Sequence, residues 1–182
     1  MPPANKSRVY VCLYYQPGAT SLNPPRFHWG LWVEPKNSGG QGDYFHVQYR
    51  ERMNTENGVQ EEGWYYDSTV QQNRPGRANY KNSSQLIGRV LIGKLAAPGT
   101  TAQQVDTVLA AIQVPQGNET CKDWTGRAAQ QLQTGGLLDR QFPWTGAGGC
   151  QDPIEVWGRQ VWTGTLPGRE EKYFLNYFNR RL

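Results

Sequence analysis

Arg26-Phe27-His28-Trp29-Gly30-Leu31-Trp32-Val33 is the stretch on which the reading of this chain turns. It alternates strictly. Phe27, Trp29, Leu31 and Val33 fall on one side of an extended backbone, and His28, Gly30 and Trp32 on the other. Tyr44-Phe45-His46-Val47-Gln48 alternates the same way, with Phe45 and Val47 opposed to Tyr44, His46 and Gln48. Between them Pro35 to Gly42 is rich in Gly and Ser, as a connecting loop requires. Two such runs pair as a hairpin. Any antiparallel register that buries the two apolar faces together brings His28 and His46 out on the same opposite face. Their separation is then fixed to within one pleat repeat. The chain holds only these two histidines.

Working outward, Val9 to Tyr15 reads as a strand ending at Pro17-Gly18, and Gly63 to Val70 and Leu86 to Leu95 read as further strands. The polar stretch Gln71 to Ser84 reads as a loop able to serve as a lid. Thr101-Ala102-Gln103-Gln104 has the pattern of a capping box, with Val105, Val108, Leu109 and Ile112 following at helical spacing until Pro115 and Gly117. Thr120-Cys121-Lys122-Asp123 repeats the cap-and-acid pattern. It opens a second helix whose buried stripe is Trp124, Ala128 and Leu132 and whose end is Gly135-Gly136. Beyond Phe142 the aromatic-rich remainder predicts strands over Ile154 to Thr163 and Lys172 to Phe178. The expected fold class is α+β: an antiparallel sheet packed on the helix that bears the cysteine. The expected organisation is one domain over 1–182, with an aromatic-rich C-terminal extension from about 142.

Cys121 falls at the first position of its helix. Unpaired backbone N–H groups and the helix dipole favour a thiolate there. An imidazole nearby favours it further and can return a proton to a leaving group. This predicts Cys121 as nucleophile, His28 as general base and then acid, and His46 as the group that orients the ring of His28. The Cys121 amide would help to hold an oxyanion. The thiol is expected to react as thiolate well below pH 8. The bland alternative is a core cysteine beside two structural histidines. Cys12, inside the first strand, reads as core, and Cys150 as lying in a flexible loop.

The 182 residues include 7 Trp, 10 Tyr and 5 Phe, enough for a packed core, and 21 Gly and 12 Pro, which call for many turns. The net charge of +4 is modest, and only Arg180-Arg181 cluster, which argues against a nucleic-acid footprint. Three cysteines cannot all pair, and they lack metal-ligand spacing, so reduced thiols and a cytoplasmic location are expected. No run reaches the length of a membrane span. No cofactor or metal is implied, and the expected partner is a small-molecule or peptide acyl substrate.

Three short runs also carry a resemblance. Arg26 to Val33 resembles the His-Trp strand of the lecithin:retinol acyltransferase family, Tyr44 to Val47 its second histidine strand, and Thr120-Cys121-Lys122-Asp123-Trp124 its Asn-Cys-Glu-His-Phe run, with Thr120 in place of Asn. That family and the PPPDE isopeptidases belong to the circularly permuted branch of the NlpC-type papain-like superfamily, which the pattern resembles. The resemblance covers about residues 8 to 138 in order of elements. It implies a permuted papain-like fold and a thiol-dependent hydrolase (peptidase or amidase) or acyltransferase working through an acyl-enzyme on Cys121. The competing expectation is a non-catalytic peptide- or protein-binding module on the same scaffold.

Overall fold

The strand order places the histidine hairpin inside the sheet, with a paired strand on either side. The computed structural model describes residues 6–17, 26–73, 76, 78–79, 83–146, 149–164 and 174–176. In chain order the elements are β1 (Arg8–Tyr14), β2 (His28–Glu34), β3 (Gln41–Met53), β4 (Gln60–Ser68), β5 (Ala78–Asn79), β6 (Leu86–Lys94), α1 (Ala102–Ala110), α2 (Cys121–Thr134), α3 (Gln151–Thr163) and β7 (Phe174–Asn176). The sheet runs β4-β3-β2-β1-β6-β7, with β5 pairing to β3. Every pairing is antiparallel except β6 with β7, which is parallel. The class is α+β.

Register sorts the side chains as alternation predicts. Val9, Val11 and Leu13 stand opposite Val33, Leu31 and Trp29, and Phe45 stands opposite Leu31. The β1 and β2 part of this face is apolar and receives Trp124, Ala128 and Leu132 of α2, all fully buried, while Asp43 opposite Val33 and Ser68 opposite Phe45 bring buried polar groups to its β3–β4 side. The other face carries Tyr10, Cys12 and Trp32, also buried, with Tyr14 and Tyr44 packed on them. Glu34 is buried at its margin, where it accepts hydrogen bonds from Tyr10 Oη (3.0 Å), Trp32 Nε1 (3.1 Å) and Arg89 (2.8 Å). A buried carboxylate is tolerated only with such partners.

Both predicted caps are present. Thr101 with Gln104 and Thr120 with Asp123 form reciprocal capping boxes, and Cys121 is the first residue of α2. The first of these helices ends at Ala110, before Pro115 and Gly117. β3 begins at Gln41 and runs to Met53, longer at both ends than Tyr44 to Gln48. Part of Gln71 to Ser84 lies outside the described residues; what is described holds β5.

Two expectations are overturned. Ile154 to Thr163 is not a strand but most of helix α3. Ile154 and Trp157 are buried and Val161 packs against the same core, an i, i+3, i+7 stripe, while Val156 and Trp162 face out. Its β-branched and aromatic residues suggest a strand, but burial of that stripe against β6 decides for helix. The ring of Trp157 closes over Gly88 of β6, and Gly158 lets α3 approach Leu13 and Phe27. Cys150 is not in a flexible loop either. It occupies the N-cap position of α3 and is fully buried. Of Lys172 to Phe178, residues 174–176 are β7, and the rest lies outside the described residues.

Candidate active site

The hairpin and the α2 terminus meet where β2 and β3 part. Those strands pair only from Gly30 opposite His46 to Val33 opposite Asp43. Before Gly30, one edge of β2 is still taken by β1, where Leu13 stands opposite Trp29 and Tyr14 opposite His28. The other edge has lost its strand partner, and Cys121 fills it. Its Sγ lies 3.4 Å from the amide N of Trp29, which donates to it, and 4.0 Å from the carbonyl O of Phe27. The sulfur therefore brackets the backbone of His28.

On the face away from α2 the two imidazoles touch. His28 Nε2 and His46 Nδ1 are 2.8 Å apart, with the rings edge to face. The diagonal placement follows from the register, since His46 stands opposite Gly30 and His28 lies one pleat repeat along. Two residues to which the sequence reading gave no role hold His46. The ring of Tyr44 stacks on it with centroids 4.4 Å apart, and Gln48 Nε2 lies 3.4 Å from His46 Nε2. Both lie two residues from His46 on its own strand, so the period-two pattern already put all three on one face. Gly30 makes room for the Tyr44 ring, which would lie 2.6 Å from a Cβ at that position. The hydroxyl of Tyr44 is buried without a hydrogen-bond partner.

A cavity of about 330 Å³ opens on this face, bordered by His28, Tyr44, His46, Gln48, Tyr49 and Trp64 among others. Cys121 does not border it. Cys121 is 6% exposed, and among the described residues no hydrogen bond joins its thiol to either imidazole.

Burial dominates the electrostatics. It pushes His28 down to about 4, and it pushes His46 down to about 3 with help from the neighbouring His28 and Arg50. Both rings are neutral at pH 7. Burial also pushes the Cys121 thiol up, and the amides of Trp29, Cys121 and Lys122 draw it only part of the way back. This reverses the expected lowering: the helix terminus acts on the thiol, but desolvation is larger. The resting site is a thiol beside neutral imidazoles. Cys12 and Cys150 are buried too, and each is raised to about 12, as suits core thiols.

Among the described residues no group of three His, Cys, Asp or Glu side chains could hold a metal ion. No helix there is long and apolar enough to cross a membrane.

The chain belongs to DUF6914, a family of unknown function whose model matches residues 6–145. The matched stretch contains β1 to α2, and with them His28, His46 and Cys121. No curated protein and no solved structure matches the chain.

Proposed function

We propose that this DUF6914 member is a cysteine-nucleophile acyl-transfer enzyme with a permuted papain-like arrangement of its sheet and nucleophile helix. One observation carries the reading. Cys121 at the first position of α2 sets its sulfur on the amide that follows His28, and His28 already has Nε2 engaged by His46. The nitrogen left over, Nδ1, is the one available to the thiol.

In the reaction Sγ attacks the carbonyl carbon of an ester, thioester or amide while His28 takes the thiol proton. The need for transfer concerted with attack follows from a thiol that is not ionised at rest. The Cys121 amide, the first N–H of a helix whose opening donors have no intrahelical partner, supports the oxyanion. His28 returns the proton to the departing alcohol, thiol or amine. Water or an acceptor nucleophile then attacks the acyl-cysteine and regenerates the thiol, giving hydrolysis in one case and transfer in the other. His46 holds the ring of His28 throughout.

The test is acylation itself. The protein is incubated with p-nitrophenyl esters, acyl thioesters and aminoacyl coumarin amides, and adducts are mapped by mass spectrometry. The expected result is one acyl group on Cys121, absent from Cys121→Ala and formed about 100-fold more slowly in His28→Ala. An adduct that forms equally fast in His28→Ala would overturn the assignment of base. No adduct from any donor favours the second reading, a peptide- or protein-binding module on this scaffold. What supports that reading is the aromatic cavity, which the thiol does not border.

A further inference from the structure

The contacts of Gln48 carry a consequence for the protons of the site. The amide nitrogen of Gln48 can only donate. With that nitrogen donating to His46 Nε2, 3.4 Å away, neutral His46 carries its hydrogen on Nδ1. That hydrogen is donated to His28 Nε2, 2.8 Å away. His28, also neutral, must then carry its own hydrogen on Nδ1. In this arrangement the nitrogen left for the thiol already holds a proton and cannot accept another without becoming a cation. The thiol's own contacts agree, since Sγ accepts from the Trp29 amide and lies against the Phe27 carbonyl instead of bonding to His28.

Turning the Gln48 amide by half a revolution about its last torsion inverts every link. The amide oxygen accepts from His46 Nε2–H, His46 Nδ1 accepts from His28 Nε2–H, and His28 Nδ1 is left with a lone pair. We propose that Gln48 is a positioning residue whose amide orientation sets the proton direction of the His46–His28 pair, silent with NH2 toward His46 and competent with C=O toward it. The proposal rests on the acyl-transfer reading for what competence means, but not for the tautomers themselves.

Desolvation disfavours the cation on buried His46 and on half-buried His28, so at neutral pH each ring has one donor and one acceptor nitrogen. His46 is clamped by Tyr44 on one side, which leaves the half-buried Gln48 as the mobile member. A half-turn of a primary amide exchanges a group that only donates for one that only accepts, at almost the same place.

The experiment uses the full chain labelled with 15N-histidine, in which two residues give two resolvable ring systems. Long-range 15N–1H spectra at pH 7 identify which nitrogen of each ring bears hydrogen. Gln48→Glu offers only an acceptor when ionised, and Gln48→Met offers neither group while keeping the shape. In Gln48→Glu both rings are expected to carry hydrogen on Nε2. In the wild type at least part of the population carries it on Nδ1, and Gln48→Met loses the preference that Gln48 imposes. Acylation of Cys121 should persist in Gln48→Glu, with its pH profile displaced to higher pH, and fall about 10-fold in Gln48→Met. Tautomers identical in all three proteins would overturn the proposal whatever the activity. Tautomers that respond without any acyl adduct on Cys121 would uphold the relay and overturn the acyl-transfer reading instead.

Discussion

At the scale of single residues, Tyr44 and Gly30 offer the cleanest separation of fold from function. The Tyr44 hydroxyl is buried and unpartnered, and leaving such a group unsatisfied costs about 1–3 kcal/mol. Tyr44→Phe keeps the ring on His46 and removes the cost. It should raise stability by about 1 kcal/mol, read from the denaturant midpoint at unchanged slope. A hydroxyl kept at that cost for the reaction would instead show as a loss of acylation in a more stable protein. Gly30→Ala works from the other side. Its methyl group would meet the Tyr44 ring at 2.6 Å, so the ring and with it His46 must shift, at about 1–3 kcal/mol for overpacking. Combining it with Tyr44→Ala should recover most of that loss; additive effects would mean that the two residues do not press on each other. For Cys121 itself, alkylation by iodoacetamide should become fast only above the ordinary thiol range of about 8.5, because burial raises it. A midpoint below pH 8 would show that the thiol spends its time in a more open position than the one seen.

At the scale of elements, the start of α2 fixes where the sulfur points. Thr120 accepts from Lys122 N at 3.3 Å, and Asp123 Oδ2 accepts from Thr120 N at 2.8 Å. Losing the cap in Thr120→Ala costs about 1 kcal/mol. Displacing a reacting atom by about 1 Å costs about 100-fold in rate. Activity should therefore fall far more than melting temperature, and a proportional fall of both would reduce the cap to a structural role. This helix was legible because its boundary is written locally: Thr, an acid three residues on, an apolar stripe, a Gly pair. The hairpin was legible for a similar reason, since a period of two decides faces without knowledge of partners. α3 was not. Val156, Trp157, Val161 and Trp162 have strand-like composition, and what makes them helical is a distant surface, Gly88 of β6 and the Leu13–Phe27 corner. Its local signals are weak, namely a proline in the first turn and a left-handed Gly164 at the end. Trp157→Ala should cost about 3–5 kcal/mol if that packing holds the helix, measured by chemical denaturation. The site was half legible. Types and faces of His28, His46 and Cys121 could be read, whereas the sign of the thiol shift could not, because desolvation depends on how completely β2, α2 and their neighbours close around one atom.

At the scale of the whole molecule, the histidine pair links stability to pH. Both native values, about 4 for His28 and about 3 for His46, lie below the unfolded value of about 6.5. As pH falls below 6.5 the unfolded chain takes up protons that the native pair refuses, so stability present at neutral pH is lost progressively down to about pH 3. Carboxylates titrate in the lower part of that window in every variant, so the informative quantity is a difference. The wild type should lose stability between pH 6.5 and 4.5 more steeply than a His28→Asn, His46→Asn double variant, with urea midpoints as the measure. Parallel curves would place the two rings in water, outside the buried pair.

The sulfur that takes the seat of a missing strand rung also makes the molecule its own gauge. The Trp29 amide proton is donated to Sγ, and a charged acceptor holds a hydrogen bond more strongly than a neutral one. When the thiol ionises, that proton should move downfield in the amide spectrum; when the thiol is acylated, it should lose its acceptor and exchange faster with solvent. A single backbone resonance would then report both the titration and the chemical occupancy of Cys121, with no dye, no tag and no change to either residue.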